Sequence, residues 1–92
     1  MALQILDSPS RPEDADRVCV ELRSAIEREI GGAAVNVTAT SPGHFEIQVV
    51  SASFEGESRV RQQQRVYAAI AALMKGDAAP VHAVDRMVTR PS

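Results

Sequence analysis

Apolar residues recur at helical spacing in two stretches and at alternate positions in three others. The series Ala15, Val18, Cys19, Leu22, Ala25, Ile26 and Ile30 follows the 3.6-residue period of an amphipathic helix. Ser10 suits an N-cap, Pro12 suits the first turn, and Glu13, Asp14 and Asp16 meet the positive end of the helix dipole. Gly31-Gly32 stops the run, so the pattern predicts a helix over 12–30. Val35 and Val37 then alternate with Asn36 and Thr38, and Phe45, Ile47 and Val49 alternate with His44, Glu46 and Gln48. These predict strands at 33–39 and 44–50, joined through the Thr-Ser-Pro-Gly turn at 40–43 as an antiparallel hairpin with one wet face.

The second helical stretch carries Val60, Tyr67 and Met74 at seven-residue intervals, with Val66, Ile70 and Leu73 beside them. The reading is a helix over 58–74, capped by Ser58 and clamped inward by that stripe, with Arg61, Gln62 and Arg65 on the opposite face. Gly76, Asp77 and Pro80 end it, and 81–89 is the last strand. A right-handed crossover makes that strand parallel to the second. The expected fold is α+β, a two-layer α-β-β-α-β sandwich with a three-stranded mixed sheet and both helices on one face. Residues 1–11, with their Ser/Pro cluster, read as a flexible N-terminal tail, and 12–92 as a single domain.

Composition narrows the functions. The 92 residues carry a formal charge of −2, with no Trp, one Tyr and two Phe, so the core is aliphatic. Residues 1–32 sum to −3 and the remainder to +1, so any basic patch is local to the second helix. One cysteine, Cys19, excludes an internal disulfide and reads as a small buried hydrophobe. No apolar run is long enough for a membrane span, and the N-terminus lacks the pattern of a secretory leader. A reducing cytoplasm is the expected compartment. The chain has no G-x-G-x-x-G, P-loop, G-x-S-x-G or zinc-motif spacing, so it does not read as an enzyme.

Two candidate sites remain. His44 opens the second strand and His82 precedes the third. They read either as two solvated imidazoles or as two ligands of one open metal site at a shared sheet end, completed by a partner. Arg59, Arg61 and Arg65, with Gln62, read either as a solvated face or as a surface for phosphates or a protein partner. No aromatic platform accompanies them for base stacking.

Phe54, Gly56, Ser58, Arg59, Val60 and Tyr67, followed by Val81-His82-Ala83-Val84, resemble the BolA family, and the His44-Phe45 pair fits as well. The resemblance covers roughly residues 12–84. It implies a fold related to the class II KH domain without the G-x-x-G loop. It also implies partnership with a monothiol glutaredoxin and a [2Fe-2S] cluster shared between them, not held by the isolated chain. His82 matches the family's cluster-ligand histidine. The hairpin loop has neither of the usual second ligands, His or Cys, which leaves His44 as the substitute. Gln62-Gln63-Gln64 resembles the Gln-rich version found in the acid-stress-associated IbaG subgroup. After Val84, Arg86 stands where an apolar residue is expected, so the strand either bulges or shifts register. The resemblance implies roles in iron-sulfur trafficking and in iron or stress regulation. The alternatives are a DNA-binding transcription regulator and a metal-free adaptor. The chain alone is expected to be a monomer or weak homodimer, without membrane attachment.

Overall fold

The computed structural model describes residues 12–92; the expected Ser10 cap and N-terminal tail lie outside them. Helix α1 spans Pro12–Glu29, β1 Ala34–Ser41 and β2 His44–Val50. A short 3₁₀ turn at Ala52–Phe54 leads to α2, Arg59–Ile70, which tightens into 3₁₀ over Ala71–Met74 before β3, Ala83–Arg90. The strands lie in the order β1-β2-β3, antiparallel then parallel. The α+β sandwich read from the sequence is the fold.

Hydrophobic patterning explains how the layers meet. Helix α1 buries Val18, Leu22, Ala25 and Ile26, and Ile30 follows just beyond its end. These are five of the seven positions its periodicity selects; Ala15 and Cys19 are only partly buried. Strand β2 buries Phe45, Ile47 and Val49 beneath the helices, and its alternating residues face the open side of the sheet. Phe54 and Val81 close the core from the connecting segments, at 0% and 1% exposure.

Helix α2 is rotated from the sequence reading. Val60 is 65% exposed and Tyr67 42% exposed, so neither clamps the helix to the sheet. The buried row is Gln62, Val66 and Ile70, spaced four apart. Successive residues turn by about 100°, which puts Val60 and Tyr67 roughly a quarter-turn or more from Val66. Gln62 lies inside because its amide is partly satisfied there. Its Nε2 donates to the Glu57 carbonyl at 2.9 Å. Its Oε1 is buried without a partner. Ser58 caps the helix as expected, accepting from the Arg61 amide at 3.2 Å.

The last strand does bulge. His44 pairs with Ala83 and Phe45 with Val84, but Glu46 pairs with Arg86. Asp85 is the extra residue. An unbroken register would set Asp85 opposite Glu46, two acids facing each other, and would put Arg86 opposite the buried Ile47. The bulge instead opposes Glu46 to Arg86 and Ile47 to Met87.

Candidate functional site

The hairpin turn between β1 and β2 organises one end of the sheet. Gly43 has φ +78°, the left-handed region that glycine enters without strain. Its carbonyl accepts from the His82 amide at 2.8 Å and the Ala83 amide at 3.1 Å. Its Cα faces the His82 ring so closely that an added Cβ would lie 2.7 Å from Nδ1 and 2.9 Å from Cγ. His82 therefore rests on Gly43 with both its backbone and its imidazole, although the residue is exposed. It borders a groove of about 510 Å³, with Phe45 and Val18 among its apolar walls and Asp14, Arg17 and Asp77 among its charged ones. The Asp14 carboxylate accepts from Arg17 Nη2 at 3.3 Å.

His44 lies at the same end of the sheet but not in this groove. Paired residues on neighbouring strands share a face, so His44 sides with Ala83, and His82, one residue earlier, turns to the helix-covered side with Phe45. His44 Nδ1 lies 3.0 Å from Asp85 Oδ1. A carboxylate only accepts, so Nδ1 carries the proton. Thr40 Oγ1 lies 3.0 Å from Asp85 Oδ2, to which it donates, and 3.2 Å from the His44 carbonyl. The two histidines are thus not brought together into one site. Among the described residues, no three His, Cys, Asp or Glu side chains are grouped to hold a metal ion.

The Asp85 carboxyl is held below its ordinary value of 3.8, first by the His44 hydrogen bond and then by Thr40. A depressed carboxyl contributes stability above its unfolded pKa and loses it as the folded form is protonated. The Asp85 carboxyl resonance should therefore titrate with a midpoint below 3.8, and the clasp should open only in that acid range. A midpoint at or above the ordinary value would contradict the geometry.

The arginine face divides. Arg59 and Arg61 are exposed. Arg65 is engaged with the segment preceding α2. Its Nη1 meets Glu57 Oε1 at 2.7 Å and the Ser53 carbonyl at 3.2 Å, its Nη2 meets Ser53 Oγ at 3.3 Å, and its guanidinium carbon sits 5.1 Å from the Phe54 ring centroid. With Gln62 buried, the expected four-residue surface reduces to Arg59 and Arg61. Replacing Arg65 with Ala should cost about 1–2 kcal/mol in urea unfolding, because a cation–π contact and charge-assisted hydrogen bonds are lost together. An unchanged midpoint would show that this latch contributes nothing.

Cys19 is partly buried on α1. Burial, and then the negative charge of Asp16, push its thiol above the ordinary value. Iodoacetamide at pH 8 should alkylate it several-fold more slowly than a free cysteine, since the thiolate is the nucleophile. Equal rates would contradict the burial. Asp85 and Thr40 carry no signal in the sequence pattern, because the bulge that brings Asp85 to His44 breaks the alternation that would have placed it.

BolA1 from Arabidopsis thaliana superposes with a TM-score of 0.68 at 22% identity, over 79% of this chain and 89% of that one. The BolA domain of SufE1 from the same plant gives 0.68 at 21%, over 80% and 91%. BolA1 from Mus musculus gives 0.59 at 26%, over 79% and 64%. No curated protein sequence matches. Among the described residues, no helix is long and apolar enough to cross a membrane. The BolA-like protein family model matches residues 17–91, a span that takes in most of α1, all of α2, all three strands and His82, and the chain belongs to the BolA-like family.

Proposed function

We propose that this chain shares a [2Fe-2S] cluster with a monothiol glutaredoxin and contributes one ligand to it, His82. One observation carries the reading: His82 is an exposed imidazole whose backbone is fixed by Gly43, at the border of a groove wide enough for a partner to approach. The donor set fits an incomplete site. A single imidazole cannot hold a cluster, so a partner's thiols must supply the remaining ligands. When bound, a cluster with imidazole on one iron has a higher reduction potential than one held by thiolates alone. The residues here do the positioning. Gly43 seats the ring, Phe45 and Val18 line the groove beside it, and Asp14, Arg17 and Asp77 offer charges to a docking surface.

His44 is assigned no ligand role, because it faces away from the groove that His82 borders. The function that follows is iron-sulfur trafficking or iron-dependent regulation in a reducing cytoplasm. The duplex-binding alternative keeps only Arg59 and Arg61 as free charges on α2, which weakens it. The test is anaerobic mixing with a monothiol glutaredoxin, ferrous iron, sulfide and glutathione, followed by visible circular dichroism. A spectrum distinct from that of the glutaredoxin cluster alone is expected. A spectrum identical to the glutaredoxin cluster's would contradict the proposal.

A further inference from the structure

Asp85 grips both flanks of the turn that seats His82. One carboxylate oxygen holds Thr40, three residues before Gly43, and the other holds His44, one residue after it, each at 3.0 Å. Thr40 lies on β1, His44 on β2 and Asp85 on β3, so one carboxylate ties together all three strands at the end where His82 sits. Asp85 is free to do this because it is the bulged residue, left without a cross-strand partner between Val84 and Arg86. A bulge beside a site commonly re-aims a side chain, and here the side chain reaches back to the hairpin. The two elements in contact through Gly43 are then linked twice. The Gly43 carbonyl accepts from the His82 and Ala83 amides on one side of the turn, and the Asp85 carboxylate holds the turn's flanking residues on the other.

We propose that Asp85 is a positioning residue for His82, acting through Thr40 and His44 to keep the Gly43 turn docked on β3; this rests on the reading of His82 as a cluster ligand. Asp85 itself touches neither the His82 ring nor the groove. Its role is to restrict opening of the turn, so that the imidazole is presented in one place instead of several. His44 gains its function by the same assignment: it is the bridge between carboxylate and turn.

The measurement is amide hydrogen exchange, read by NMR on the chain alone. In Asp85→Ala the His82 and Ala83 amides should exchange about tenfold faster, as local opening of the turn becomes easier. The Ile47 and Val49 amides, in the middle of β2, should keep their rates. Thr40→Val, which preserves shape and removes the hydroxyl's contacts with the Asp85 carboxylate and the His44 carbonyl, should give an increase of the same kind but smaller. Unchanged exchange at His82 and Ala83 would overturn the proposal. So would acceleration spread equally over the β2 core amides, which would make Asp85 a general stabiliser with no particular claim on His82. Because this readout needs no cluster, it stands or falls separately from the glutaredoxin partnership. In the reconstituted complex, Asp85→Ala should also shorten cluster lifetime while leaving complex formation intact.

Discussion

His82→Ala should abolish the shared cluster signal. The groove offers one imidazole, and among the described residues no three His, Cys, Asp or Glu side chains are grouped to hold a metal ion, so its removal takes away the nitrogen ligand this chain would give the iron. Loss of groups that merely orient metal ligands typically costs 10–100-fold in affinity, and loss of a ligand should cost at least about tenfold in cluster lifetime. His44→Ala is the matched control for ligation only. It removes the other histidine of the chain, at the same sheet end but on the opposite face, and should leave the circular dichroism bands in place, while cluster lifetime shortens as it does in Asp85→Ala because the clasp on the Gly43 turn is lost. His82→Cys should retain a cluster, since a thiolate is also a ligand, but at a lower reduction potential. The apo complex should form in every variant if docking relies on the groove and not on the metal. If His82→Ala and wild type give the same spectrum and lifetime, the ligand assignment is wrong.

Gly43→Ala is expected to be the most damaging small substitution at this end of the molecule. It combines two penalties. A side chain at φ +78° occupies a sparsely populated backbone region, at a cost on the order of 1–3 kcal/mol. The new Cβ would also lie 2.7 Å from His82 Nδ1, so the ring has to move. Gly32→Ala separates the two effects. Gly32 has φ +72°, but an added Cβ there meets nothing within 4 Å. It should show the backbone cost alone and leave cluster sharing unchanged. Thermal unfolding of both variants, with the co-reconstitution assay, makes the comparison. Gly43→Ala should be less stable than wild type and defective in cluster retention, and Gly32→Ala less stable only. A Gly43→Ala protein with normal cluster lifetime would mean that the seat beneath His82 is not required.

The sequence pattern was most reliable where one face of an element alone is buried. In α1 the apolar series runs at a clean helical period, and the core takes five of the seven residues it picks, with Ala15 and Cys19 only partly buried. Strand β2 alternates without exception from His44 to Val49, and its bounds follow. Helix α2 defeated the same reasoning because two apolar residues, Val60 and Tyr67, stay exposed while a polar one, Gln62, goes inside. Periodicity counts apolar positions; it does not see that the Glu57 carbonyl offers Gln62 a hydrogen bond in the interior. Arg65 was misread for a related reason. Its helical position belongs to a charged face, but Glu57, Ser53 and Phe54 reach it from the preceding turn.

The site was half legible. The parallel crossover put His44 and His82 at one end of the sheet, and that arrangement is present. Which face each imidazole takes depends on a one-residue register, because side chains alternate with a period of two. That register is set by Gly43 pairing with His82 and is not written in the local pattern. Arg86 at an inward-looking position signalled an irregular strand. It did not say that Asp85 would be the residue set free, or that it would grip Thr40 and His44.

The central claim is that the shared cluster takes one imidazole from this chain. The most direct test labels its two histidines with ¹⁵N, assembles the cluster with unlabelled glutaredoxin and glutathione, reduces it, and records pulsed electron paramagnetic resonance. One directly coupled ¹⁵N imidazole, absent in His82→Ala and present in His44→Ala, is the predicted result. No ¹⁵N coupling, or coupling from two imidazoles, would contradict it.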